Sequence, residues 1–584
     1  MEDSLRPGPT CGETSGYSRD FFAKEWDPEF SKDRKFKKDW SYVEYKRRDL
    51  NADGDGISIF LQEFEDSVPS CIVEDISEFC KDVRLDDIQI GATRAGTAIQ
   101  RRAAWLDDRS LCVEKHGCVR EYENPLTAIQ LYQMLKALRF GIPDLPDADR
   151  RLIYIADLDP YYVLALTETA AFHQVSVLKD AIWQHIALQT SIRVKIPPRQ
   201  FPIFQFEFQL PYFALRTSSP RTNRSQETVN SKSPRKWTDL SFLKIRTSKP
   251  QNERKYGIFD AQISIVICGS DELRWVAYAF ADTEFDNENL EDGDFSYEGP
   301  HEDPIASNGR LANDPLWNPR EYFLTICNVR MVQVLKEWQY LVRILERSIT
   351  EYVRLCIFFR SDEYSSPLLR HSGTRGDLDW TLQTIKLLSR LQSRLSETIE
   401  AWETFKSCDG DIGYFFDCRS PNISPQCVRL SLRAIQDIFG TLKGLQKKLS
   451  LLKQSCDESA KALQLRLTLE SNEAAQQNGG FAELTASIIS PIALAAAYFS
   501  IPKGVVPFKL FFVAIVANMV VVRLSFAVLR TLLRLSWWWE NIRTWMKTMQ
   551  VLSTKEYNTS WFALKNGRNN IDKTMAGVEM TMGV

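Results

Sequence analysis

The chain has 584 residues, of which 44% are hydrophobic and 26% are charged, and its formal net charge at pH 7 is −3. This length accommodates three or four domains of ~100 to 200 residues, while so small a net charge excludes a chain-wide polyanionic or polycationic partner. The 12 cysteines form no CxxC pair, which predicts reduced cytosolic thiols without zinc-site spacing.

Enzymatic and nucleic-acid-binding motifs are also missing from the sequence. It contains no GxxxxGK[ST], HExxH or GxSxG stretch, and its histidines are dispersed. Apart from a Trp and Arg stretch near the C-terminus, no basic patch is interleaved with aromatic residues. We therefore predict neither an enzyme nor a nucleic-acid-binding protein, and we expect no cofactor.

Residues 1–30 are predicted to form a disordered N-terminus, because 1–19 are polar, rich in Gly, Pro and Ser, and lack the apolar run of a signal peptide. An N-terminal α/β region follows at 31–216. Alternating apolar residues indicate its strands, and apolar residues three and four apart indicate a helix. The predicted strands are Arg151–Asp157, Ser191–Ile196 and Ile203–Leu210, and the helix covers Val175–Ile186.

Residues 51–63 (NADGDGISIFLQE) have the composition of a calcium-binding loop. Asn51, Asp53 and Asp55 stand at the first ligand positions, but Ser58 and Gln62 replace the aliphatic residue and the glutamate that such a loop requires. The sequence favours a solvated turn over a calcium-responsive function.

A stretch rich in Ser, Thr, Arg and Asn at 217–236 is predicted to be a disordered linker. The second half of the α/β domain occupies 237–316, with strands at Ala261–Ile267 and Arg274–Phe280. An acidic loop at 282–303 holds ten acidic residues and no Lys or Arg. Carboxylates suit hard cations, so magnesium sensing is one interpretation, but a charged surface loop is the favoured one.

Helical periodicity dominates residues 317–478, the predicted stalk region. Asn318 supplies the N-cap of the first helix, and a second helix includes Ile385–Trp402. The third begins at Ser424–Pro425, and its apolar residues alternate three and four apart over about four heptads, which predicts a long coiled-coil-like helix. Those apolar residues are Val428, Leu432, Ile435, Ile438, Leu442, Leu445, Leu449, Leu452 and Cys456.

A two-helix transmembrane hairpin is predicted after the stalk. The first helix is placed at 481–501, where an uncharged stretch approaches the ~20 apolar residues that cross ~30 Å of hydrocarbon. The second is placed at 505–529, with Lys509 extending outward. Pro491 and several alanines lower the hydropathy of the first helix, so a buried soluble helix is the alternative there.

The link between the two spans has only about ten residues, which requires antiparallel helices and places both termini on one side. Arg523, Arg530 and Trp537–Trp539 follow the second span as expected at a cytoplasmic headgroup boundary. The prediction is a multi-pass protein whose partner is the lipid bilayer, with both termini, including the 530–584 tail, in the cytosol.

This order of elements resembles the CorA superfamily of divalent-cation channels, and most closely the large fungal CorA-like proteins. The residues that carry the resemblance are Phe206–Arg216 (FEFQLPYFALR), Lys236–Leu243 (KWTDLSFL), Trp275–Asp282 (WVAYAFAD) and Leu484–Ser500 (LTASIISPIALAAAYFS). It implies a cytosolic α/β domain, a stalk that gates a pore in the first span, and a homo-oligomer, by resemblance a pentamer. The implied activity is transport of divalent metal cations, magnesium first and zinc or cobalt next.

The signature that ends the first span in this family is aromatic-Gly-Met-Asn. It falls on Phe499, Ser500, Ile501 and Pro502, so only the aromatic residue is retained. Proline offers no side-chain acceptor to hydrated magnesium, and the following loop is basic where the family commonly has acids. This departure favours an alternative: a non-conducting CorA-like scaffold or sensor anchored in the membrane.

Small or polar residues mostly on one face of the first span are the candidates to line a pore. Residues of this kind also serve close helix packing, and the sequence leaves both interpretations open. The candidates are Ser487, Ser490, Leu494, Ala497 and Ser500.

Overall fold

The chain divides into two compact units, Met1–Gln464 and Leu465–Val584. A computed structural model describes part of each unit. The described residues are 24–34, 39–49, 54–62, 70–89, 99–111, 117–197, 203–217, 235–243, 256–283, 302–306, 312, 314–358, 367–416, 424–484, 489, 492–493, 496–497, 512–513, 515–517, 519–521, 523–524, 527–528 and 531.

An eight-stranded mixed sheet organises the first unit. Its order is β2-β1-β3-β8-β7-β5-β4, with β6 paired to β7. Only β3 and β8 pair in parallel, and the other pairs of this sheet are antiparallel. The strands are β1 Ala104–Ser110, β2 Cys118–Arg120, β3 Arg150–Ala156, β4 Ser191–Lys195, β5 Phe204–Thr217, β6 Trp237–Asp239, β7 Tyr256–Gly269 and β8 Trp275–Ala281.

Helices cover both faces of the sheet, which is why the central strands are buried along almost their whole length. Every residue of β8 is buried, and so is nearly every residue of β7. The helices are α1 Tyr42–Asp49, α2 Gly56–Leu61, α3 Cys71–Phe79, α4 Leu85–Gln89, α5 Ala128–Lys136, α6 Pro160–Thr169, α7 Val175–Ile186, α8 Pro319–Phe358, α9 Pro367–Lys406 and α10 Pro425–Leu484.

Two apolar cores lie on opposite faces of the sheet. One joins the sheet to α8, α9 and α10 through residues such as Trp338, Leu388 and Leu442. The other joins it to the shorter helices α1 to α7 through residues such as Val163 and Leu178. Each face therefore has its own set of helices.

Helices α8 and α10 begin where the sequence predicts. The Asn318 side chain accepts from the Arg320 N–H at 3.0 Å, which caps α8, and α10 starts at Pro425 after Ser424. The predicted strands also appear, but β5 and β7 extend to 14 residues each. Strands β1, β2 and β6 were not predicted from the sequence.

The structure differs from two predictions near the N-terminus, in the disorder predicted for 24–30 and in the turn predicted around 56–61. Residues 24–30 belong to the folded unit, since Trp26 is 5% exposed and Phe30 is fully buried. Residues 56–61 form α2 and not a solvated turn or calcium loop, because Ile57 and Phe60 are drawn into the core. Asn51 and Asp53 lie outside the described residues.

Strand β4 lies at one edge of the sheet, and a side chain hydrogen-bonds to its backbone there. Asp411 accepts the Val194 N–H at 2.6 Å through one oxygen and the Lys24 ammonium at 2.6 Å through the other. The loop after α9 and the N-terminal segment thus meet at this edge.

Most of the predicted membrane hairpin lies outside the described residues. The same holds for most of the 217–236 linker and for the 530–584 tail apart from Thr531. Across the part of the chain that is described, no helix is both long enough and apolar enough to cross a membrane. The hairpin, its topology and the position of the termini remain predictions.

Candidate functional site

The predicted pore residues are almost entirely outside the described part of the chain. Ser487, Ser490, Leu494 and Ser500 are among these, and so are the positions of the family signature, Phe499 to Pro502. Ala497 is described, and it is helical and exposed. Pore lining therefore stays a prediction.

The apolar seam of the predicted stalk helix is confirmed in α10. Seven of its nine predicted residues are buried, and Leu445 and Leu452 are partly buried against the same core. Phe439, which was not among the predicted residues, stacks on Trp402 of α9 with ring centroids 4.8 Å apart. The N-terminal part of α10 is thereby packed into the first unit.

Polar contacts hold α10 to α9 in a defined register. Gln446 Nε2 donates to Ser396 Oγ at 2.7 Å, and Gln392 Nε2 donates to Ser450 Oγ at 3.0 Å. These amide–hydroxyl pairs lie one helical turn apart on both helices. Sliding of α10 along α9 must break both.

The two ends of the acidic loop are buried in ion pairs. Asp282 accepts from Arg235 Nε at 2.7 Å, and Asp303 accepts from Arg150 Nη2 at 2.8 Å. Burial raises the pKa of Asp282, but Arg235 and His185 outweigh that effect and the net shift is downward. The carboxylates of Asp282 and Asp303 therefore serve as structural counter-charges to buried arginines. The rest of the loop, 284–300, lies outside the described residues.

A charged network surrounds Asp303 on the sheet face that α8 covers. Arg150 Nη1 also donates to Asp107 at 3.0 Å, and Arg109 Nε donates to the same carboxylate at 2.9 Å. The Tyr322 hydroxyl donates to Asp303 at 2.9 Å. Burial and the Asp303 charge raise the pKa of Tyr322 far above its usual value, so the phenol stays a donor.

A Ser, His, Asp constellation is present but buried. His185 Nδ1 lies 2.8 Å from Ser264 Oγ, and its Nε2 lies 3.5 Å from Asp282 Oδ1. Ser264 is 1% exposed within β7 and His185 is 2% exposed. A nucleophilic hydroxyl must reach its substrate, so this geometry stabilises the fold and provides no accessible nucleophile.

The burial of His185 predicts sensitivity to acid. Burial lowers the pKa of His185, with Asp282 opposing in part, so the folded state prefers the neutral ring. Its contribution to stability is present above the unfolded pKa of ~6.5 and is lost as pH falls through the folded pKa.

We therefore expect the thermal unfolding midpoint to fall between pH 7.5 and 5.5, and His185→Gln to reduce that dependence by up to one proton, ~1.4 kcal/mol per pH unit. The measurement is differential scanning fluorimetry of both proteins across this range. An identical slope in the variant would contradict the assignment.

A cleft of about 560 Å³ opens between α2, α3 and α4. Its charged lining is mixed, with Arg47, Lys81 and Arg84 against Asp55 and Asp86. The Arg47 guanidinium already forms an ion pair with the buried carboxylate of Glu168 in α6. Within the described residues, no group of three or more His, Cys, Asp or Glu side chains is arranged to hold a metal ion.

A basic stripe on α8 was not predicted from the sequence, and it is formed by Lys336, Arg343, Arg347 and Arg354. All four side chains are exposed. The spacing in the sequence predicts this stripe, because residues seven, four and seven apart lie along one line on a helix.

Comparison with known proteins leaves the family of this chain open. No family model and no curated protein matches it. It is similar to the solved structure of the full-length CmaX protein, with a TM-score of 0.32 and 12% identity over 74% of this chain and 98% of that chain. It is also similar to the CorA magnesium transporter from Methanocaldococcus jannaschii, with a TM-score of 0.29 and 10% identity over 73% and 96% of the two chains. TM-scores this low do not establish a shared fold.

Proposed function

We propose that this protein is a CorA-like, homo-oligomeric membrane channel for divalent cations, with magnesium as the principal ion. One observation carries the proposal: α10 is 60 residues long and ends at Leu484, where the uncharged stretch of the predicted first span begins. A long helix that leads into a span-length apolar segment suits a stalk that enters a pore. The sequence resemblance of Leu484–Ser500 to the first span of CorA-like proteins supports the same function.

In the proposed mechanism, ions pass along the first span, with Ser487, Ser490 and Ser500 offering hydroxyl oxygens to hydrated cations. Motion of α10 opens and closes this path. Because α10 is hydrogen-bonded to α9 in register, α9 must move with it or the two amide–hydroxyl pairs must break. A pentamer with both termini in the cytosol is the proposed assembly.

A second candidate is a non-conducting scaffold or sensor that uses the hairpin only as an anchor. Pro502 stands where the family has the asparagine that binds hydrated magnesium, and proline has no side-chain acceptor. Lys503 and Lys509 flank the loop, and rings of lysine at a pore entrance oppose cation entry.

Flux measurements separate the two functions. Purified full-length protein is reconstituted in liposomes, and uptake of magnesium, zinc and cobalt is followed alongside growth of cells that lack their own magnesium uptake. For a channel, Ala497→Phe should reduce flux about tenfold by narrowing the predicted path. Ala462→Phe, on an exposed position of α10, is the matched control and should leave flux unchanged.

Absence of flux for all three ions in the wild-type protein would exclude transport. A stable oligomer in detergent would then leave the scaffold function standing. A stable monomer would also exclude the channel, since it provides no symmetry axis for a pore.

A further inference from the structure

Three buried glutamines lie between α7 and the central strands of the sheet. Gln209 of β5 and Gln262 of β7 are fully buried, and Gln184 of α7 is 5% exposed. Gln262 Nε2 donates to Gln209 Oε1 at 3.4 Å and lies 3.5 Å from the carbonyl oxygen of Gln184. The three residues therefore border one enclosed region on the sheet face that α7 covers.

Each of these glutamines has one polar atom without a hydrogen-bond partner among the described residues. The atoms are Gln209 Nε2, Gln262 Oε1 and Gln184 Oε1. The orientation of the Gln262 amide is fixed, because its Nε2 also donates to the Gln189 carbonyl at 2.9 Å. Turning the Gln209 amide would set its Nε2 against Gln262 Nε2. Since buried polar atoms in proteins nearly always have a partner, this region holds one donor group and two acceptors that require one.

The chemistry of the three atoms selects a small neutral molecule. The N–H groups of Gln209 Nε2 oppose a cation, and the two amide oxygens oppose an anion. The carboxylate of Asp282 is no cation ligand here, because it is paired with Arg235 at 2.7 Å and accepts the Gln262 N–H at 2.7 Å. A water molecule can accept from Gln209 and donate to both oxygens, and buried waters typically make about three hydrogen bonds.

The distance between two of the amide groups is compatible with a single bridging water. The oxygen and nitrogen of one carboxamide are ~2.3 Å apart. With a 3.4 Å contact between the two groups, Gln209 Nε2 and Gln262 Oε1 therefore lie no more than ~8 Å apart, and they do not bond to each other. A water with two hydrogen bonds of ~2.9 Å joins atoms up to ~5.8 Å apart, which falls inside this range.

We propose that this region is the binding site of one structural water, held by Gln209 Nε2, Gln262 Oε1 and Gln184 Oε1. The water joins α7 to β5 and β7, beside the 2.8 Å contact between His185 and Ser264 that joins the same helix to β7. Because the three side chains are buried, the water exchanges with bulk solvent only when α7 moves away from the sheet. The site does not depend on whether the protein conducts ions.

A cryo-EM map of the full-length wild-type protein in detergent, at a resolution that shows ordered water, tests this site. We expect one peak within ~3.2 Å of both Gln209 Nε2 and Gln262 Oε1. Direct contact between those two atoms, or no peak between them, would overturn the proposal. A peak that strengthens when rubidium replaces sodium in the buffer would identify a cation and would overturn it as well.

A double-mutant cycle provides an independent measurement, because no direct hydrogen bond joins the side chains of Gln184 and Gln209. We expect Gln184→Leu and Gln209→Leu each to lower the thermal unfolding midpoint of the full-length protein by ~3 °C or more. The double variant should lower it by less than the sum, since the first substitution already removes the shared water.

The matched control is Gln205→Leu, which replaces a buried glutamine of β5 whose amide already donates to Glu207. Its effect on the midpoint should add to that of Gln184→Leu. Additive effects in the cycle of Gln184 with Gln209, or equal coupling in the control cycle, would contradict a shared water.

Discussion

Replacing Asp303 with alanine is expected to lower the thermal unfolding midpoint of the full-length protein by ~10 °C. The substitution leaves the Arg150 guanidinium buried with Asp107 as its remaining carboxylate contact, and removes the acceptor of the Tyr322 hydroxyl. Breaking one partner of a buried ion pair costs ~3 to 5 kcal/mol, and each kcal/mol shifts the midpoint by ~2 to 4 °C in a domain of this size.

An exposed ion pair provides the control for Asp303. Lys443 and Glu403 pair at 2.8 Å between α10 and α9, and both side chains are more than two-fifths exposed, at 47% and 42%. Lys443→Ala should cost no more than ~1 kcal/mol. Equal shifts in the two variants would contradict a buried counter-charge role for Asp303.

Replacing Gly56 with alanine is the second substitution with a large expected effect. A Cβ at this position would lie 1.6 Å from Glu168 Oε1 and 2.8 Å from Arg47 Nη2. The carboxylate cannot move aside cheaply, because it is 3% exposed and accepts two hydrogen bonds from Arg47 at 2.8 Å each. We expect a loss of ~3 kcal/mol or more, comparable with breaking a buried pair.

Hydrogen exchange in α1 and α2, together with the thermal midpoint, measures this loss. Gly54→Ala is the matched control, since its added Cβ would meet only Ile59 at 3.6 Å. A double-mutant cycle with Glu168→Ala identifies the cause: once the carboxylate is gone, Gly56→Ala should cost much less. Additive effects would show that the clash with Glu168 is not responsible.

The parts of the fold that follow from local periodicity could be predicted from the sequence. The seam of α10 and the starts of α8 and α10 depend on residues within a few turns of each other. Strand β1 (AWLDDRS) was missed because its charged residues mimic a surface segment. The carboxylates of Asp107 and Asp108 are buried because Arg150 and Arg151 of β3 pair with them, and no local pattern encodes that pairing.

The α2 error has a similar origin. The DGDG stretch suggests a turn or a loop, yet Gly56 is needed for close approach to Glu168, which lies 112 positions later in the chain. The predicted pore lining still rests on the sequence, because Ala497 is the only one of the five candidate residues that the described part of the chain includes. The basic stripe of α8 was predictable from spacing alone.

The capping of β4 by Asp411 has a consequence for how these chains behave when crowded. An open strand edge offers unpaired N–H groups to any neighbouring strand, and proteins interrupt such edges to avoid aggregation. Asp411 occupies the Val194 N–H and Lys24 adds a positive charge there, so a strand that added to β4 would have to displace the Asp411 carboxylate. The edge of β4 is therefore less open to pairing with a neighbouring copy of the chain when the protein is concentrated.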